Sequence, residues 1–309
     1  MILSVSRRTD IPAFYSDWFF NRIKEGFVCV RNPMNIHQVS RIKLSPDVID
    51  CIVFWSKNPH PMLSRLDEIS DYMYYFQFTI NPYDISIEKQ VPLKRTIIDT
   101  FKELSFRLGP ERVIWRYDPI ILTNSISIEY HIQYFEKLAK RLYGYTNTCV
   151  ISFLDLYKKT ERNLKDTSAR ELNKTEMFEL AAVLSQIANH YGIKIQSCAE
   201  KIELESVGIK HGRCIDSVLI EDLLGVKLVV SKDKNQRPEC GCVQSIDIGE
   251  YNTCRHNCKY CYANYNIKRV QEQSQKHNPN SPLLIGNLEP DDRVIDRKIF
   301  SFIGDKGLF

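Results

Sequence analysis

The residues best placed to do chemistry are cysteines. The 309-residue chain has ten, and seven of them lie between residues 198 and 261. The tightest group is Cys254, Cys258 and Cys261, spaced CxxxCxxC. Three thiolates that close can hold three corners of a cubane iron–sulfur cluster and leave the fourth iron open. Ten cysteines scattered at random would give this spacing in roughly one chain in a hundred. In a reducing compartment, crowded thiols point to metal or redox chemistry rather than to disulfides.

Four more cysteines, Cys198, Cys214, Cys240 and Cys242, are candidates for an auxiliary site, either a second iron–sulfur cluster or a structural zinc. The alternative is that Cys198 and Cys214 are small buried hydrophobes. Cys29, Cys51 and Cys149 lie in or beside apolar runs and read as core. His211 and His256 could ligate metal, although histidines beside cysteines more often act as supporting or surface groups.

Positioning these groups falls to short β-rich runs at 2–5, 51–55, 74–80, 112–117, 149–153 and 193–197, separated by helical patterns. Residues 27–31 and 39–44 suggest a hairpin. One helix is expected over 93–108, with Ile97, Ile98, Phe101, Leu104 and Leu108 on one face and Gly109-Pro110 as its stop. Another is expected from about Lys174 to Tyr191, closed by Gly192. Alternation of this kind favours an α/β fold whose parallel strands form a (β/α) barrel or partial barrel, with an open doubly wound sheet as the alternative. The expected organisation is a barrel-like domain over 1–230 and a cysteine-rich segment over 231–309 packed on the barrel mouth.

Most of the runs end in polar clusters, and parallel folds place active sites at the carboxyl ends of their strands. The candidate catalytic residues there are Arg116, Asp118, Asp155 and Glu200. The three acids could bind a ribose or substrate, move protons, or only cap helices. Arg7, Arg8 and Arg116 could hold a carboxylate or phosphate, or could pair with those acids.

Composition is that of an ordinary globular protein, with a formal charge of +4. No long basic tract stands out. No apolar run approaches a membrane span, and the start lacks the basic and apolar parts of a signal peptide, so a cytoplasmic location is expected.

CxxxCxxC with an aromatic residue, Tyr260, directly before the third cysteine resembles the signature of the radical S-adenosylmethionine (SAM) superfamily. That resemblance implies a [4Fe-4S] cluster on Cys254, Cys258 and Cys261, with SAM chelated by the open iron and Tyr260 near the adenine. It also implies a one-electron donor such as ferredoxin or flavodoxin. The whole chain resembles a bacterial family known as domain of unknown function 1848. The resemblance rests on Ser6-Arg7-Arg8-Thr9-Asp10, on Phe54-Trp55-Ser56-Lys57-Asn58-Pro59, and on Cys240-Gly241-Cys242 followed by CxxxCxxC.

Two departures from the superfamily stand out. The signature comes after about 250 residues instead of near the start, and there is no Gly-Gly-Glu-type motif for SAM's amino group. Circular permutation would reconcile the first, with residues 245–249 inserting as a strand beside 2–5. Two other functions compete. One is an iron–sulfur electron-transfer or sensing protein that leaves SAM intact. The other is a zinc-stabilised nucleic-acid-binding protein, using Arg255, Lys259, Lys268 and Arg269 beside Tyr260, Tyr262 and Tyr265.

Overall fold

The computed structural model describes residues 1–156 and 158–304, apart from the side chains of 158 and 159. Eleven strands occur among them. Eight form one sheet: β1 (Ile2–Val5), β4 (Cys51–Ser56), β5 (Tyr74–Thr79), β6 (Val113–Ile120), β7 (Thr148–Phe153), β8 (Lys194–Ser197), β9 (Lys210–His211) and β10 (Ile246–Asp247). Their spatial order is β10-β1-β4-β5-β6-β7-β8-β9, and every neighbouring pair is parallel. The sheet is open, with β10 and β9 as its two edges, so the closed form of the expected barrel is not what the chain adopts. A smaller sheet holds the expected hairpin, β2 (Phe27–Asn32) with β3 (Asn35–Lys43), and adds β11 (Arg293–Asp296) beside β3.

The helices are α1 (Ile11–Phe14), α2 (Ser16–Glu25), α3 (Lys94–Leu108), α4 (Ile128–Leu142), α5 (Lys158–Leu164), α6 (Lys174–His190), α7 (Ser217–Leu224) and α8 (Ile267–Gln275). None is long and apolar enough to cross a membrane. Both helices expected from sequence form for the expected reasons. α3 buries Ile97, Ile98, Phe101 and Leu104 and stops at Gly109. α6 opens on a capping box between Asn173 and Glu176 and buries Leu180, Ala181, Leu184 and Ala188.

Successive side chains on a strand point to opposite faces, so a doubly covered parallel strand must be apolar on both. One face of the large sheet, with Leu3, Val5, Phe54, Phe76, Trp115 and Ile151, packs on α2, α3, α4 and α6. Trp115 stacks on Phe135 of α4 at 4.8 Å between ring centroids. The other face, with Ile2, Cys51, Val53, Tyr75, Ile114 and Val150, packs on Ile220 of α7 and on Cys214, Ile215, Cys240, Cys242 and Val243. Four helices therefore cover one side, while α7 and a cysteine-bearing stretch of chain cover the other.

The strand expected at 245–249 pairs in parallel with β1, Leu3 opposite Ile246 and Ser4 opposite Asp247. Asp247 fixes that edge. Its carboxylate accepts from Ser4 Oγ at 2.8 Å, Ser6 Oγ at 2.7 Å and the Arg7 backbone N–H at 2.8 Å. Gly249 lies so close to β1 that an added Cβ would stand 2.0 Å from Ser6 Oγ. Residues 231–309 thus supply one strand to each sheet.

Candidate metal centre at the carboxyl ends of the strands

The CxxxCxxC loop follows β10 and reaches across the carboxyl ends of β1, β4 and β5. Each end contributes a polar group to it. After β1, Asp10 caps α1 through Ala13 N–H at 3.0 Å. The same carboxylate accepts from Ser56 Oγ and Lys57 N–H, both at 2.7 Å, and meets His256 Nε2 at 2.8 Å. A carboxylate can only accept here, so Nε2 carries the imidazole proton. The other ring nitrogen, Nδ1, is buried without a protein partner. Phe14 closes over the ring, with centroids 4.6 Å apart.

After β4, Lys57 extends to Glu88, Nζ to Oε1 at 2.9 Å. Glu88 is buried and also receives Lys94 and the Tyr260 hydroxyl. Burial is the strongest single influence on its carboxyl and would raise its pKa. The two lysines and the tyrosine outweigh it, holding the group at about 2. Glu88 also forms a β-bridge with Cys258, and Lys259 N–H reaches Ile87 O at 3.0 Å, so this segment and the loop are laced by backbone. After β5, Asn81 donates from Nδ2 to Tyr260 Oη at 3.1 Å and to the Asp118 carbonyl at 2.8 Å.

The loop's own turns need unusual backbone. Asn252 and Asn257 adopt φ of +58° and +53°, the left-handed region that asparagine tolerates better than most residues. Tyr15 Oη fixes the Thr253 carbonyl at 2.6 Å, and Asn264 Nδ2 the Cys254 carbonyl. Cys258 is buried, and Cys254 and Cys261 are half-buried. Burial pushes all three thiols up, while the Lys57 ammonium pulls Cys258 and Cys261 the other way.

Three thiols on one loop are a donor set of the kind that holds an iron–sulfur cluster. Among the described residues, the one group with three ligand atoms mutually within 4.8 Å is His37, Asp291 and Asp292, mostly exposed. In the cysteine loop and the strand ends it meets, Thr9 Oγ1, Asn58 Oδ1, His256 Nδ1 and Asn264 Oδ1 are buried with no protein hydrogen bond. Buried polar atoms left so are unusual and fit a pocket that takes a further group.

The expected catalytic residues gather at the neighbouring strand ends, around the second set of cysteines. Arg116 Nε donates to Asp118 at 3.0 Å, Nη2 adds a second bond, and Asp118 also receives Ser152 Oγ. Of the two readings of Arg116, pairing with an acid is the one observed. Its Nη1 lies 2.7 Å from Cys214 Sγ. Cys198 Sγ is 3.1 Å from Cys214 Sγ. Cys242 receives the thiols of Cys214 and Cys240 and the Ile215 N–H, which lower its pKa. Glu200 accepts from the Phe153 N–H at 2.8 Å, and burial first, then Asp155 and Asp118, push it up to about 7. Asp155 is exposed and pairs with Arg237, while its charge still reaches Glu200. Arg7 and Arg8 lie by Asp247, Arg7 also by Asp233. His211 pairs with Glu203 at 3.1 Å.

The family model for a domain of unknown function (DUF1848) matches residues 2–263. The chain belongs to this DUF1848 family. No curated protein matches the chain. The DUF1848 match runs from β1 to just beyond Cys261, so both cysteine groups lie inside it, while α8 and β11 lie outside.

Sequence reasoning named Asp10 and Lys57 as parts of the family resemblance, and gave no role to Asn81, Glu88 or Asp247. Glu88 sits in a stretch without periodicity, and nothing in the sequence marks it. Tyr260 is packed rather than open. Its ring meets Tyr83 edge-on at 5.9 Å, and its hydroxyl is held by Glu88 and Asn81.

Proposed function

We propose that this chain is a radical-SAM-like iron–sulfur enzyme, with a [4Fe-4S] cluster on Cys254, Cys258 and Cys261 and SAM on the open iron. The observation that carries the reading is spatial order. Counted across the sheet, β10 comes first and the remaining strands follow in chain order. The cysteine loop is therefore the loop after the spatially first strand, as in a circularly permuted partial barrel. Its late position in the chain ceases to be an objection.

In this reading the bound cluster supplies the electron for reductive cleavage of SAM, with an unknown organic substrate as the final reactant. The rest falls to side chains. Asp10 and His256 hold the loop against β1 and β4. Lys57, 5.4 Å from the centre of the Tyr260 ring, keeps a positive charge beside Cys258 and stabilises anionic sulfur there. Glu88 keeps Lys57 charged. Glu200, poised near neutrality, is suited to hold or release a proton at the same mouth. A cleft of about 570 Å³ opens on Cys258, bordered by Lys89, Arg162, Lys165 and Lys259. Asp166 also lines it, paired with Lys259, and the remaining cations suit an anionic electron donor of the ferredoxin or flavodoxin kind.

The test is chromatographic. Anaerobically reconstituted, reduced protein incubated with SAM should release 5′-deoxyadenosine and methionine. If neither forms, and SAM leaves the paramagnetic spectrum of the cluster unchanged, the electron-transfer reading replaces this one.

A further inference from the structure

Four cysteines outside the CxxxCxxC loop converge from three separate stretches of chain. Cys198 follows β8, Cys214 follows β9, and Cys240 and Cys242 precede β10. Cys198 Sγ stands 3.1 Å from Cys214 Sγ, and Cys214, Cys240 and Cys242 share one buried cluster with Cys198 packed against it. Cys214, Cys240 and Cys242 are 2%, 7% and 3% exposed, so the group sits under the sheet rather than on its surface.

Two features separate this group from ordinary buried thiols. The first is the packing that brings it together. An added Cβ on Gly212 would stand 2.9 Å from Gln196 Cβ and 3.1 Å from the Ser197 carbonyl. One on Gly241 would meet Arg213 Cγ at 2.9 Å. Each of these glycines is next but one to, or beside, a cysteine of the group. Together they let the two loops press on β8 and on each other.

The second feature is charge. The buried guanidinium of Arg116 puts Nη1 2.7 Å from Cys214 Sγ, and the Ile215 N–H points at Cys242 Sγ at 3.4 Å. A neutral thiol is a weak acceptor and gives little reason to bury an arginine against it. Four thiolates around a divalent metal carry excess negative charge, which a guanidinium and a backbone N–H offset.

We propose that Cys198, Cys214, Cys240 and Cys242 bind a second thiophilic metal centre, a zinc ion or an iron–sulfur cluster, on the sheet face opposite α3, α4 and α6. The centre joins the chain after β8 to the chain before β10, and holds Arg116 and Asp118 at the strand ends. It stands independently of whether the CxxxCxxC loop binds a cluster.

The experiment is metal and sulfide analysis of the full chain purified anaerobically, in three forms. These are the native protein, the Cys254→Ala/Cys258→Ala/Cys261→Ala variant, and the Cys214→Ser/Cys242→Ser variant. The first variant should keep about one zinc, or about four iron with matching sulfide, per chain. The second should lose that metal and keep the iron of the CxxxCxxC loop. X-ray absorption on the metal retained by the first variant should report four sulfur neighbours near about 2.3 Å, a readout that survives if the serine variant does not fold. A folded first variant with neither zinc nor iron overturns the proposal, as do nitrogen or oxygen neighbours at its metal. If the CxxxCxxC assignment alone is wrong, the first variant matches the native protein in metal content while the serine variant is metal-free.

Discussion

His256 Nε2 lies 2.8 Å from the carboxylate of Asp10, joining residues 246 positions apart. Through that contact the loop after β10 is fastened to the loop after β1. The same carboxylate holds Ser56 and Lys57, so three strand ends share one anion. Asp10→Asn keeps the shape but weakens these bonds. The expected result is slower iron incorporation during reconstitution and faster cluster loss in air, followed by the visible absorption of the cluster. Unchanged kinetics would remove Asp10 from the site.

The three loop cysteines should account for one cluster. Replacing Cys254, Cys258 and Cys261 together with Ala should remove about four iron atoms and as many sulfides per chain. Zinc at this site without sulfide would refute the cubane.

Glu88 is held at about 2 despite its burial, against an ordinary 4.5. Its folded pKa is depressed, so its stabilisation is fully present above about pH 4.5 and fades as pH falls toward 2. Glu88→Gln leaves Lys57 and Lys94 without their buried anion and should cost about 3–5 kcal/mol. Urea unfolding at neutral pH measures the cost. The variant should also lose part of the acid sensitivity between pH 4.5 and 2.

Glu200 behaves in the opposite sense. Its folded pKa is raised from 4.5 to about 7, so stability falls as pH rises through that window and levels off above it. A shift of that size corresponds to at most about 3 kcal/mol. Glu200→Gln should flatten the unfolding free energy between pH 5 and 7. If Glu200 also moves a proton in catalysis, the variant loses activity without losing iron.

Gly249 tests the edge strand. An alanine methyl would collide with Ser6 Oγ, 2.0 Å away, and with Ser6 Cβ at 2.6 Å. Gly249→Ala should push β10 off β1 and lower both stability and iron content, although no ligand is touched. Normal iron content in a folded variant would show that the cysteine loop does not depend on this pairing.

Tyr260 separates packing from hydrogen bonding. Tyr260→Phe keeps the ring against Tyr83 and removes the bonds to Glu88 and Asn81, at about 1–2 kcal/mol. Tyr260→Ala empties a buried aromatic site and should cost about 3–5 kcal/mol. Thermal unfolding of the two variants distinguishes them.

The sequence by itself determined what is local. Spacing in the chain put Cys254, Cys258 and Cys261 within reach of one cluster, because seven peptide bonds cannot carry them far apart. The 3.6-residue repeat determined α3 and α6, and Gly109 and Gly192 their ends. Alternating apolar runs gave the strands and the hairpin of β2 and β3, while the place of β10 beside β1 followed from the resemblance to a permuted radical-SAM core. The tertiary structure alone decided which polar groups meet. Asp10 with His256, Glu88 with Lys57, and Arg116 with Cys214 are brought together by chain closure over 246, 31 and 98 residues. No periodicity records such a pairing, since a buried charge is specified by what surrounds it and not by its neighbours in sequence. Sheet closure belongs to the same class. Each strand signals its own formation, but whether β9 and β10 join depends on the accumulated twist of eight strands and on the cysteine-bearing chain packed against one face.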